Sequence, residues 1–330
     1  MQKRVSIPWV EKYRPKRLND IIQQTEVVKV LQNSVKTGEL PHLLLYGPPG
    51  TGKTSTILAV ALELFGPKKI YERVIELNAS DDRGINIVRN NIITFAKTCL
   101  GKPDPNYPSP NFKIVILDEA DAMTTEAQSA LRQVIESTAH ITRFCFICNY
   151  INQIIEPIAS RCVKFRFKPI DKYNMEDKLR LISENEKLDV SETAIRAIAE
   201  VSEGDARYGI MILHYLKYMS KLTDKLTDKD VYRITGTVDD EIIKLIWKSS
   251  LFGNVKQIRD TAIMIHRNSY PVKNVLDKLT KCVFEENIND KKKSQIIWEV
   301  CQTEKRLLDG SNEYIQILYL LSIIRTIIKN

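Results

Sequence analysis

The sequence predicts an α/β domain on a parallel five-stranded sheet, followed by all-helical domains, and three observations carry this reading. Residues 43–170 alternate short apolar runs with helical periodicity, as strand–helix–strand units do. After Pro169 the strand-like runs stop and helical patterns continue to the end. The first apolar run leads into GPPGTGKT, Gly47–Thr54, a glycine-rich turn whose place is between a strand and a helix.

The strand candidates are Leu43–Tyr46, Val74–Leu77, Ile114–Leu117, Phe144–Cys148 and Val163–Phe167. The last alternates apolar Val163, Phe165 and Phe167 with Lys164, Arg166 and Lys168, which suits a strand buried on one face near a sheet edge. Lys53–Phe65 is helical and stops at Gly66-Pro67. Leu100–Asn111 holds four prolines and reads as an exposed loop. Within 171–236 one helix places Ala194, Ile195, Ile198 and Val201 on a single face and ends at Gly204. The closing stretch Tyr314–Ile328 is very apolar but too interrupted by polar residues to span a membrane, so a buried helix or a subunit interface is expected. The domain boundaries that follow are 1–169 for the sheet domain, 170–236 for a helical domain and 237–330 for a second helical domain.

Composition narrows the class. A chain of 330 residues, 43% hydrophobic and 27% charged, is that of a soluble globular protein with two or three domains. The N-terminus has no apolar core of a secretory signal, so a reducing intracellular compartment is expected. Of six cysteines only Cys145 and Cys148 have CxxC spacing, and they lie in a strand, where residues three apart face opposite ways; core packing is the reading, not a zinc site. A net charge of +8 suits a polyanionic partner such as nucleic acid, and equally a lysine-rich solvated surface. Lys291–Lys293 reads as a solvated turn.

The chemistry lies in two segments. Gly47–Thr54 matches GxxxxGK[ST] in full: Gly47, Gly50 and Gly52 let backbone N–H groups close around phosphates, and the next helix adds its positive end. Lys53 would reach the β- and γ-phosphates and Thr54 would hold Mg²⁺. The whole segment, Gly47, Pro48, Pro49, Gly50, Thr51, Gly52, Lys53, Thr54 and the adjoining Ser55, is taken as phosphate-binding. Ile114–Asp121, IVILDEAD, supplies the second half: Asp118 ends an apolar strand and fits a magnesium-holding role, and Glu119 beside it could deprotonate an attacking water. A DEAD-box helicase is excluded, since neither a SAT nor an HRxGR motif occurs. Asn149 ends the strand beside Asp118, where an amide can position water, though Asn is also a common strand terminator. Arg161, and Arg207 in a first helical turn that Asp205 would cap, could each stabilise charge on the γ-phosphoryl; each is also an ordinary surface arginine.

Together, PWVEKYRP (Pro8–Pro15), GPPGTGKT, NASDDRG (Asn78–Gly84), ILDEAD, CNY, SRC and GDxR stand in the order and spacing of replication factor C small subunits, which the chain resembles over roughly residues 8–215. The resemblance implies an AAA+ αβα domain, a three-helix lid and a helical collar that holds five subunits in a ring. It implies ATP and Mg²⁺, with partners that are the other replication factor C subunits of a hetero-pentamer, a sliding clamp and primer–template DNA, and no membrane. It places Val10, Tyr13, Arg14 and Ile22 against the nucleoside, makes Asn149 and Arg207 sensors in cis, and makes Arg161 a finger that reaches a neighbour's ATP. Read from its pattern, the NASDDRG helix puts Ile85, Val88, Ile92 and Phe95 on one face and Arg83, Asn86 and Asn90 on another, with Arg89 at the margin. The resemblance implies that this polar face tracks a DNA backbone. Two departures, Gln133 after Arg132 and Ala206 and Tyr208 around Arg207, bear on how tightly DNA or clamp binding is coupled to hydrolysis. The expected function is ATP-driven clamp loading in the nucleus, or the cytoplasm for an archaeal chain; the alternatives are a nucleotide-binding scaffold with little turnover, or another AAA+ DNA-transaction ATPase.

Overall fold

The computed structural model describes residues 7–79, 92–96, 98, 103–219 and 226–329. They divide into two compact units, Met1–Asp224 and Lys225–Asn330.

The first unit is built on five parallel strands: β1 (Leu43–Tyr46), β2 (Val74–Asn78), β3 (Lys113–Asp118), β4 (Thr142–Cys148) and β5 (Val163–Arg166), in spatial order β2-β3-β4-β1-β5. A parallel sheet must be covered on both faces, and alternation along each strand shows how this is done. Leu43, Leu45, Ile114, Ile116, Cys145 and Ile147 face α2 (Thr25–Thr37) and α3 (Lys53–Arg73) through Leu31, Ile57, Val60 and Leu64. Leu44, Val115, Leu117, Phe144, Phe146 and Cys148 face the other way, onto Leu131, Val134 and Ile135 of α4 (Thr125–Thr138) and Ile158 of α5 (Glu156–Ala159). Cys145 and Cys148 thus belong to different cores, and among the described residues no group of His, Cys, Asp and Glu could hold a metal.

The helix after β1 breaks at Gly66 (φ 74°, ψ 164°) and resumes at Pro67. The break lets the proline-rich loop pack close, with Tyr107 against Gly66 and the Ser109 N–H donating to Leu64 O at 2.9 Å. The loop exposes Pro103, Pro105, Asn106, Pro108 and Asn111, as expected, and buries Ser109 beneath α3.

Three helices complete this unit: α6 (Lys172–Glu186), α7 (Glu192–Val201) and α8 (Ala206–Met219). Each has a side-chain N-cap: Asp171 accepts from Asn174 N, Ser191 from Ala194 N, and Asp205 Oδ1 from Tyr208 N at 3.0 Å. They bury Leu179, Ile182, Ile195, Ile198, Leu213 and Leu216.

The second unit is all-helical: α9 (Asp228–Thr235), α10 (Asp240–Phe252), α11 (Val255–Arg267), α12 (Val272–Glu285), α13 (Asp290–Leu308) and α14 (Glu313–Lys329). Its core gathers Ile246, Ile265, Leu279, Ile296, Leu320 and Ile324. The apolar α14 buries Ile317, Leu320, Leu321 and Ile324 and leaves Ile315 and Tyr319 exposed. Compactness divides the chain at 224/225, whereas the sequence reading drew boundaries at 169/170 and 236/237. Helix α9 lies with the C-terminal helices, where Tyr232 meets the Lys278 ammonium and Gly236 abuts Pro271. Among the described residues no helix is long and apolar enough to cross a membrane.

Candidate nucleotide site

The site forms at the carboxyl ends of the central strands, where open α/β sheets collect ligands. Tyr46 is level with Cys148 on one side and Arg166 on the other, so Gly47 and Asn149 leave the sheet side by side. Leu117 is level with Phe146, which brings Asp118 out next to them. At two glycines the backbone is left-handed or a side chain would collide with a neighbour. A Cβ on Gly47 (φ 142°) would lie 2.3 Å from Phe167 O, and one on Gly50 (φ 66°) would lie 1.7 Å from Asp205 Oδ1.

Lys53 opens α3, and its Nζ donates to Gly47 O (2.7 Å), Pro48 O (2.8 Å) and Asn149 Oδ1 (3.1 Å). Burial lowers its pKa, and the nearby Asp118 carboxylate works in the other direction. Thr54 Oγ1 donates to Asp118 Oδ2 at 2.8 Å, while Asp118 Oδ1 accepts the Glu119 N–H at 2.9 Å. Glu119 sits in the left-handed region (φ 53°), a conformation uncommon for its residue type, and its side chain is exposed. Asp121, to which the sequence reading gave no role, takes the N–H groups of Asn149 (2.9 Å) and Tyr150 (3.2 Å) on Oδ2. The last acid of the DEAD run therefore sets where Asn149 stands. Gln128, buried in α4, accepts Ile155 N and donates to Gln153 O, joining that helix to the segment after β4.

From this end a cavity of about 250 Å³ runs toward the N-terminal segment. Pro49, Gly50, Thr51, Gly52, Lys53, Thr54, Ser55, Asp118, Glu119, Asn149 and Arg207 line it, together with Val10, Tyr13, Arg14 and Ile22 of the N-terminal segment. Sequence reading missed Ile21, Ile170, Lys178 and Ile210, which also line it. The three isoleucines read as ordinary core positions, and Lys178 as a solvated charge. Burial lowers the Lys178 pKa, opposed by Asp20. Arg14 Nε donates to Ser55 Oγ at 3.4 Å and Nη1 to Glu11 at 3.2 Å. Helix α8 meets the P-loop directly, with Ala206 N–H donating to Gly50 O at 3.2 Å, which brings Arg207 in its first turn to the cavity wall.

The short helix α1 (Trp9–Lys12) is held by α6 and α8. Trp9 is buried and stacks on His214 with ring centroids 4.8 Å apart, and Lys217 lies 4.8 Å from the Trp9 ring. Glu186, at the end of α6, accepts from Lys12, from the Tyr13 hydroxyl (2.8 Å) and from Lys217 (3.2 Å).

Some expected residues lie elsewhere. Gly47 and Pro48 meet the site through their carbonyls on Lys53. Arg161 is not on the cavity wall: its Nη2 donates to Glu136 Oε1 at 2.7 Å and its Nη1 to Pro157 O, and Glu136 also pairs with Arg132 at 3.3 Å. Arg83, Asn86, Arg89 and Asn90 lie outside the described residues.

A hydroxyl and a carboxylate 2.8 Å apart at the phosphate end are hard oxygen ligands of the kind Mg²⁺ takes, beside a buried ammonium and the N-terminus of a long helix.

Residues 43–170 match the model of the ATPase family associated with various cellular activities (AAA), and residues 238–322 match the replication factor C C-terminal domain. The chain is 44% identical to replication factor C subunit 4 of Arabidopsis thaliana, covering 95% of this chain and 93% of the relative. It is equally 44% identical to replication factor C subunit 2 of Saccharomyces cerevisiae, over 95% and 91%. The small subunit of Picrophilus torridus is 40% identical, over 95% and 96%. Among solved structures, the Thermotoga maritima RuvB Holliday junction branch migration motor matches with a TM-score of 0.54 at 18% identity, over 72% of this chain and 79% of that one, a likeness of fold alone.

Proposed function

This chain belongs to the replication factor C family of AAA+ clamp-loader subunits and is an ATP-binding, ATP-hydrolysing member of it, and from that premise we propose how its residues divide the work. The observation that carries the proposal is the meeting of Lys53, Thr54, Asp118, Glu119 and Asn149 at the ends of three adjacent strands. The triphosphate lies along Gly47–Ser55. Thr54 and Asp118 hold Mg²⁺, which supplies charge neutralisation at the phosphates. Glu119, exposed beside Asp118, accepts the proton of the attacking water, and Asn149, set by Asp121, orients that water. Lys53 and Arg207 face the charge that develops on the phosphoryl oxygens. Val10, Tyr13, Arg14 and Ile22 receive the nucleoside.

Arg161 serves a neighbour. Its absence from its own cavity wall, and its support by Glu136, favour a finger that completes the ATP site of the next subunit in a hetero-pentamer. The second unit acts as the collar. The working partners are the other subunits, a sliding clamp and primer–template DNA, the last through Arg83, Asn86, Arg89 and Asn90. ATP binding selects the ring state that grips clamp and DNA, and hydrolysis releases them. The nucleus is the compartment in a eukaryote and the cytoplasm in an archaeon.

The test is Glu119→Gln in this subunit alone, within the assembled complex. The expected outcome is retained ATP binding with hydrolysis at this site lowered by about 10²–10⁴, the range of general-base catalysis. Unchanged clamp-stimulated ATPase would mean that this subunit is a scaffold.

A further inference from the structure

Glu186, at the end of α6, joins the N-terminal segment to α8. Its side chain is only 8% exposed. Burial would drive its carboxyl up; the hydrogen bonds from Lys12, Tyr13 and Lys217 outweigh this and hold it at about 2. Oε1 takes the two donors of the N-terminal segment, and Oε2 takes Lys217 of α8. The Trp9–His214 stack forms the apolar half of the same joint.

A buried carboxylate is a poor device for stability alone, since an apolar isostere often holds two elements as well or better. What it adds is direction. Tyr13 lines the cavity and its hydroxyl donates to Glu186, so the carboxylate sets the ring's height and tilt. The P-loop fixes one end of the cavity for phosphates, which leaves the end walled by Val10, Tyr13, Ile21 and Ile22 for a planar, mostly apolar group, the base. Neither Glu186 nor Lys217 touches the cavity, so their effect must pass through Tyr13 and α8.

We propose that Glu186 is a positioning residue for base recognition, fixing the Tyr13 ring against the base and tying that geometry to α8, the helix that carries Arg207. The proposal rests on the reading of the cavity as the ATP site. It predicts an effect on ligands that have a base and none on ligands that are phosphate only.

The experiment is calorimetric binding of ATP and of inorganic tripolyphosphate to the full chain, in the wild type, Glu186→Gln, Tyr13→Phe and the double variant. Each single change is expected to weaken ATP by about tenfold, the scale of one hydrogen bond to a charged group, and to leave tripolyphosphate within about twofold. The double variant is expected to lose no more than a single one, because both changes remove the same link. ATP binding that is unchanged in Glu186→Gln overturns the positioning role alone. Equal loss of both ligands also overturns it, since that is what general loosening of the fold would do. Should Glu186→Gln fail to fold, Tyr13→Phe decides, as it keeps the carboxylate and both lysines: selective loss of ATP supports the role and no change overturns it. A wild-type chain that binds neither ligand overturns the ATP-site reading and the positioning role with it.

Discussion

Lys53 donates to two carbonyls of its own loop and to Asn149 Oδ1, and burial lowers its pKa while Asp118 opposes that shift. A triphosphate restores the balance by bringing negative charge to a cation already out of water. Lys53→Met is therefore expected to weaken ATP by at least about tenfold in equilibrium binding, with an unfolding midpoint close to that of the wild type. Thiol chemistry gives a second check. Burial pushes Cys148 and Cys162 up to about 12 and Cys145 well above the usual thiol range, while Cys301 is exposed. At pH 8 a maleimide is expected to modify Cys301 well before these three, as peptide mass mapping against time would show. Glu186 sets a pH dependence of definite sign. Its folded pKa is depressed from 4.5 to about 2, so its contribution to stability is full above 4.5 and falls away as pH drops toward 2. The stability gap between wild type and Glu186→Gln, followed by denaturant unfolding, should be constant above pH 5 and narrow below it.

Helix α8 carries two duties at its two ends, and Asp205 secures the first. It caps the helix through Tyr208 N and packs on Gly50, whose missing Cβ leaves it room. Asp205→Ala is expected to remove about 1 kcal/mol of stability with the cap. It should also weaken ATP, because the turn that presents Arg207 would no longer be seated on the P-loop; Gly50→Ala should do so more severely. Strand positions were legible from apolar runs, but their polar ends were not. β3 begins at Lys113, which is fully buried and donates to the Phe95 and Thr98 carbonyls, and β4 begins at Thr142 and Arg143, the latter donating to Leu40 O. Lys113 and Arg143 draw partners from other elements, whereas the buried Thr142 hydroxyl has none among the described residues. The same limit hid Glu186, whose Lys12 and Tyr13 partners lie more than a hundred residues away along the chain. The P-loop, Asp118 and Glu119 were legible because their spacing is local.

On the proposed division of work, assembly determines what the catalytic groups accomplish. Since Arg161 stands off its own cavity, the isolated chain should bind ATP yet hydrolyse it weakly, and Arg161→Ala should leave that binding unchanged. In the assembled complex, single-turnover hydrolysis at the adjoining site should fall by about 10³ or more, the contribution of an arginine finger. Robust turnover by a confirmed monomer carrying Arg161→Ala would remove the finger from this account. The sheet order bears on how such a subunit is made. Among the described residues β1, the strand that launches the P-loop, pairs with β4 and β5, both synthesised roughly a hundred residues later, whereas β2 pairs with β3. At about 5–20 residues per second, the nucleotide-binding strand waits on the order of 5–20 s on the ribosome with both edges open. Nascent chains stalled before residue 166 should therefore remain protease-sensitive and a target for chaperones.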